Sequence, residues 1–216
     1  MRAPSSLAGM LRALARGHRP IYCQRVTLQI QTQGIGPFYW YIIVRDNLEQ
    51  AVDDSLHSSH SSFREKLLEH LFIAELLKKS WKTGRCDIEV AKSEVDSKGY
   101  DLIVEAEGIL RHIQLKSTKL GGKAANQKIH QSLSSKPSGC VVWMFFDDVS
   151  LQVDHYLFFG GAPGEKLPSL GDRIAKHTKG NADGTKLERP MIRQVPKGSF
   201  TRVDTFEQLY DRLFVL

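Results

Sequence analysis

The spacing of apolar residues changes period along the chain, and each change predicts an element. In "SFREKLLEHLFIAELLKKSW", Phe63, Leu67, Leu68, Leu71, Phe72, Leu76 and Leu77 recur at helical spacing. Ser61 or Ser62 can cap this helix, with Glu65 three residues after Ser62 as the far half of a capping box. Lys78 and Lys79 suit its C-terminal end, where cations meet the negative pole of the helix. Upstream, Val26, Leu28 and Ile30 alternate with polar residues, and Gly34, Gly36 and Pro37 mark a turn, so residues 22–46 read as two strands. The polar, Ser-rich "DNLEQAVDDSLHSSHSS" reads as a helix followed by a loop. The pattern predicts an N-terminal extension with a β-hairpin over 1–61 and a main domain over 62–216.

Within the main domain, "CDIEVAKSEVD" reads as a strand running into a turn. "YDLIVEA" and "ILRHIQLK" alternate around Glu107 and Gly108, as a β-hairpin does. A break at Gly121 and Gly122 leads into "KAANQKIHQSLSSK", read as a short helix. "GCVVWMFF" is continuously apolar, which predicts a buried strand, and "LQVDHYLFFGG" predicts another. Residues 160–200 are rich in Gly, Pro and Lys and read as loop. "TFEQLYDRLFVL" closes the chain as a helix, with Thr205 and Gln208 as its capping pair. Helix, strand, hairpin, helix, strand, strand, helix is the order of an α/β fold with a mixed central sheet flanked by helices.

Composition adds two constraints. The chain has 216 residues and a formal net charge of +6, which favours a polyanionic partner. The charge is unevenly placed: between Gly108 and Phe146 there is no Asp or Glu, but there are Arg111, Lys116, Lys119, Lys123, Lys128 and Lys136. No apolar run reaches the roughly 18–20 residues of a membrane span. Cys23, Cys86 and Cys140 are far apart, without zinc-binding spacing, which suits reduced thiols and a cytoplasmic setting. The Arg-rich "MRAPSSLAGMLRALARGHRP" reads as an extension, with an organellar transit peptide as the alternative.

The hairpin brings candidate chemistry. With a two-residue turn at Glu107–Gly108, Ala106 faces Ile109, Val104 faces Arg111 and Asp101 faces Gln114. Opposed residues have Cβ atoms about 4.5–5.5 Å apart. Lys116, two residues beyond Gln114, shares that face, while Leu102, Val104, Ile113 and Leu115 point into a core. A carboxylate, an amide oxygen and an ammonium thus fall together. They could be three solvated surface groups. They could also hold a hard divalent cation, which takes oxygen ligands, and assist an attacking water.

"SEVDSKGYD" and "HIQLKS", with the Glu-bearing helix upstream, resemble the PD-(D/E)XK nuclease superfamily over residues 62–146. Restriction endonucleases and archaeal Holliday junction resolvases belong to that group. The resemblance implies a restriction endonuclease-like core and Mg2+- or Mn2+-dependent hydrolysis of DNA. It implies Asp101, Gln114 and the helix residue Glu69 as metal ligands, with Glu65 and Glu75 as alternatives to Glu69. It also implies Lys116 as the fourth catalytic residue. Tyr100 stands where the family has Pro, and Gln114 replaces the commoner Glu, removing a negative charge from the metal site. Glu94 and Asp96 could reach the metal or its waters. Arg111, Lys119, Lys123, Lys128, Lys179 and Lys186 are the candidate contacts to DNA, and a homodimer is the assembly many members use. A binding module or assembly subunit that keeps the fold without catalysis fits the same residues.

Overall fold

A computed structural model describes residues 59–92, 99–178 and 184–215. The N-terminal extension over 1–61, its hairpin and its boundary lie almost wholly outside the described residues, as do Cys23, Glu94, Asp96 and Lys179. Among the described residues no helix is long and apolar enough to cross a membrane. Cys86 and Cys140 are free thiols; the first is exposed, and burial pushes the second up to about 12.

The first element is helix α1, Ser61–Thr83. Leu68, Phe72 and Leu76 form its buried stripe. Each contributes roughly 1.5–3 kcal/mol by leaving water. The apolar set read from the sequence is wider than this stripe: Phe63 is 72% exposed and Leu77 49%. The predicted capping box does not form. His60 is the N-cap residue and makes no side-chain cap bond, while Ser61 and Ser62 lie inside the helix. Gly84 ends it in the left-handed conformation, with its N–H on the carbonyls of the last turn.

Among the described residues nine strands follow: β1 Glu89–Lys92, β2 Leu102–Ala106, β3 Ile109–Lys119, β4 Asn126–His130, β5 Gly139–Phe146, β6 Val153–Gly160, β7 Ile174–Lys176, β8 Glu188–Pro196 and β9 Thr201–Val203. Helix α2, Phe206–Phe214, closes the fold. Its Thr205 cap accepts from Gln208 N–H, and Gln208 Oε1 accepts from Asp204 N–H. The pairing of Thr205 and Gln208 therefore forms.

The central sheet has the order β1-β2-β3-β5-β6-β9. It is mixed, because β3 and β5 run parallel while its other pairs are antiparallel. A parallel pair needs a long crossover. Here β4 and a short 3-10 helix, Gln131–Ser135, supply it. A second sheet, β4-β8-β7, is separate.

Every residue of β5 is buried, which explains its unbroken apolar run. Cys140, Val142, Met144 and Phe146 pack with Leu68, Phe72, Leu76 and the α2 residues Leu209 and Leu213. Val141, Trp143 and Phe145 pack with Ile129 and Val195 of the second sheet. Alternation on a strand sends successive side chains to opposite faces, so a strand covered on both must be apolar throughout. Both described helices lie on one face and the small sheet covers the other.

Two other expectations change. The helix predicted over 123–136 is strand β4 and a 3-10 turn. Its two apolar anchors, Ile129 and Leu133, gave a helical spacing, but the ladder to β8 decides the conformation. The stretch 160–200, read as loop, supplies β7 and β8. Of β8 only Val195 is fully buried, so its apolar signal is faint.

Candidate active site

The turn between β2 and β3 is the two-residue one the sequence suggested. Glu107 and Gly108 have φ of 55° and 74°, as a type I′ turn requires. The register follows, with Ala106 opposite Ile109, Val104 opposite Arg111 and Leu102 opposite Ile113.

At the far end the two strands part. β2 begins at Leu102, whereas β3 runs on to Lys119, paired with β5 alone. Asp101 sits where they separate. Its N–H donates to Ile113 O at 2.9 Å, and its Oδ2 accepts from Leu115 N–H at 2.6 Å. The carboxylate replaces a backbone carbonyl as partner to β3. Asp101 therefore spans the position of Gln114, its backbone N–H donating to Ile113 O and its carboxylate accepting from Leu115 N–H.

Gln114 is only 8% exposed, and its Oε1 has no hydrogen-bond partner among the described residues. A buried carbonyl oxygen left bare costs free energy, so it is a place where a ligand would be welcome. Lys116, half-buried, is two residues further along the same side of β3.

A cavity of about 350 Å3 opens at this sheet edge, lined in part by Glu65, Lys66, Glu69, Asp101, Lys116 and Gln127. The fold thus brings Glu69, Asp101 and Lys116 to one space from α1, the start of β2 and β3. Glu75 lies elsewhere, paired with Lys78.

Glu69 is 6% exposed, an acid set into the buried face of α1. Lys66 donates to its Oε2 at 2.9 Å. Lys92 of β1 lies 2.6 Å from Oε1, an ion pair off the hydrogen-bonding direction. Burial alone would raise the carboxyl, but the two lysines outweigh it and hold it below its ordinary value. Sequence reasoning passed over Lys66 and Lys92. The spacing of Lys66 and Glu69 on a helix could have suggested the first; nothing local suggests the second.

Among the described residues no three His, Cys, Asp or Glu side chains group closely enough to hold a cation. Asp101 lines the cavity, while Gln114, with its bare amide oxygen, lies between the two residues Asp101 bonds to and is not among the lining residues. One carboxylate and one neutral oxygen suit Mg2+, which is held by one or two carboxylates with waters and substrate phosphate. The donor set fits such an ion, with Glu69 already engaged by its lysines.

Of the residues predicted to touch DNA, Arg111 is a correction. It is fully buried, not on the basic surface. Its Nε donates to Leu213 O at 2.7 Å and its Nη2 to Arg212 O at 2.8 Å, with Gly161 O completing the set. It stands opposite Val104, and cross-strand partners share a face, so the register itself sends Arg111 to the core side. There the guanidinium meets carbonyls of the last turn of α2, where the helix dipole is negative. Lys119 pairs with Asp148 at 3.3 Å. Lys123, Lys128 and Lys186 are exposed. Lys136 lies over the Tyr100 ring, 5.3 Å from its centroid.

No known family model matches the chain, and no curated protein matches it. Among solved structures it is similar to a bacterial homing endonuclease, I-Ssp6803I, with 20% identity and a TM-score of 0.25, over 56% of this chain and 85% of that one. A likeness at that level carries neither fold nor activity across.

Proposed function

We propose that the cavity at the parting of β2 and β3 is the active site of a metal-dependent nuclease of the PD-(D/E)XK type, acting on DNA. The observation that carries this reading is the Asp101–Leu115 hydrogen bond. It fixes a carboxylate at the open edge of β3, in the cavity that Lys116 also lines, and Gln114, whose buried Oε1 is bare, precedes the residue it bonds to.

Asp101 and Gln114 would hold Mg2+ or Mn2+. The ion would act as a Lewis acid on the phosphate and lower the pKa of a bound water. Lys116 orients the attacking water through its ammonium N–H groups and offsets the negative charge that grows on the phosphate. Lys123, Lys128 and Lys186 approach the sugar-phosphate backbone, which positions the duplex without reading its sequence. Lys119 joins them by exchanging Asp148 for a phosphate.

The test is cleavage of plasmid and branched DNA with Mg2+ or Mn2+, compared with Asp101→Asn and Lys116→Met. Each substitution is expected to lower the rate by about 100-fold or more. Cleavage at the parental rate by both variants would refute the assignment.

A nucleic-acid-binding module without catalysis is the second reading. The uncharged Gln114 and the two lysines on Glu69 favour it. DNA binding that falls with salt, is indifferent to divalent metal and yields no cleavage would establish it.

A further inference from the structure

The second sheet carries a cross-strand row of two cations around an amide. Lys128 of β4 stands opposite Gln194 of β8. On its other side Gln194 donates its N–H to the carbonyl of Arg173, just before β7, so Arg173 is its partner there. Residues directly opposite one another share a face. That face is the outward one, because the adjacent Ile129 and Val195 are buried in the cluster that includes the β5 residues Val141 and Trp143. We propose that this outward face docks in the major groove of duplex DNA, with Lys128 and Arg173 on the phosphates of its two walls and Gln194 on base edges between them. The proposal rests on the nuclease reading for its partner, and it names the surface that holds the duplex beside the cavity.

Charge singles out this sheet. The sheet and its flanking segments, residues 123–136, 172–178 and 184–200, hold nine Lys or Arg and two acids, Asp172 and Glu188. Their net +7 exceeds the +6 of the whole chain, so everything else sums to −1. Setting Asp154 of β6 and Glu165 of the neighbouring 161–171 segment against it still leaves +5. Among the described residues none of the nine cations is in an ion pair, whereas Lys66, Lys78, Lys92 and Lys119 each face a carboxylate. The cavity offers no such pull, since Glu65, Glu69 and Asp101 balance Lys66, Lys116 and the nearby Lys92. Attraction for a polyanion therefore centres on the sheet.

The dimensions agree. Neighbouring strands lie about 4.8 Å apart, so Lys128 and Arg173 leave the sheet roughly 10 Å from each other. The major groove is about 12 Å wide and admits β-strands, and an amide between its walls can pair with adenine N6 and N7. No acid occupies the outward positions of β4, or those of β8 from Ile192 to Pro196, so nothing there repels a backbone. Gln127, one residue before Lys128, lines the cavity with Asp101 and Lys116. A duplex seated on the sheet thus has a strand beside that cavity.

The experiment measures the affinity of a fluorescent DNA duplex by anisotropy across a salt series in EDTA, where no metal-dependent cleavage occurs. Lys128→Gln and Arg173→Gln are each expected to make the slope of log affinity against log salt shallower by about 0.9, the loss of one phosphate contact. Lys82→Gln, exposed at the end of α1, is expected to keep the parental slope. Parental slopes in both sheet variants would overturn the docking face, as would a parent that binds no DNA at low salt, or a Lys82→Gln slope that falls as far. Tighter binding of duplex RNA, whose major groove is too deep and narrow to enter, would overturn it too. A second arm ranks duplexes with a randomised central segment. Gln194→Ala is expected to keep the slope and to lose about tenfold discrimination at one base pair. A preference unchanged in that variant, or absent in the parent, would overturn the reading role of Gln194. Expected slopes without cleavage in Mg2+ would sink the nuclease reading and leave the docking face standing. Cleavage with unaltered slopes would do the reverse.

Discussion

Leu115 N–H donates to Asp101 Oδ2 at 2.6 Å, so a side chain finishes the β2–β3 ladder where backbone would otherwise do so. The same carboxylate that faces the cavity also anchors β3. Stability and activity are therefore coupled at Asp101, and substitutions should separate them. Asp101→Asn keeps an acceptor for Leu115, whereas Asp101→Ala leaves the N–H without one. Urea denaturation should show Ala less stable than the parent by about 1–3 kcal/mol, with Asn much closer to it. Cleavage should be lost in both. Equal stability of Ala and parent would mean that the hydrogen bond is not holding the strand.

Gly99 should tolerate no side chain. Its φ is +75°, and a Cβ built there would fall 2.5 Å from His130 Cβ. Both the left-handed backbone and the contact with β4 oppose Gly99→Ala. We expect a loss of about 1–3 kcal/mol, together with reduced cleavage, because Asp101 is only two residues away. Thermal denaturation and a nicking assay below the melting range would check both.

Arg111 should matter for folding and not for DNA. Arg111→Met would strand the carbonyls of Leu213, Arg212 and Gly161 around an apolar side chain. Each buried carbonyl left without its donor costs about 1–3 kcal/mol. Denaturation should show that loss. Anisotropy on the folded variant at low temperature should give a salt slope unchanged from the parent. A shallower slope would restore Arg111 as a phosphate contact.

Glu69 should give the protein a specific acid sensitivity. Its folded carboxyl lies below the ordinary value of 4.5 because the Lys92 and Lys66 pairs outweigh burial. A depressed folded pKa stabilises above the unfolded pKa, and that contribution is lost as pH falls through the folded one. The stability gap between the parent and Glu69→Gln should therefore be full near neutrality and shrink as pH drops below the ordinary carboxylate value. Urea midpoints from pH 7 down to pH 3 would show it. A gap that widens on acidification would contradict the ion-paired arrangement.

Much of this protein is legible in its sequence wherever signals are local. The 3.6-residue spacing of Leu68, Phe72 and Leu76 gives α1, and the Glu107–Gly108 pair between alternating strands gives the hairpin and its register. That register places Asp101 against Gln114. It also contains the correction to Arg111, since opposition to Val104 puts both on the core side. Charge alone drew Arg111 to the surface; the pairing arithmetic did not.

The remainder depends on distant partners. β4 is a strand because β8, more than sixty residues later, lies beside it, and one i,i+4 apolar pair in β4 and its 3-10 turn had suggested a helix. Glu69 belongs to the cavity by its place on α1, but Lys92 reaches it only because β1 folds back at the sheet edge. The sequence by itself determined which strands form the hairpin and which side chains share its faces, because turn geometry and alternation act over a few residues. Only the tertiary structure decided that Arg111 caps α2 and that Lys92 of β1 reaches Glu69, because each of those contacts requires elements far apart in the chain to be packed first.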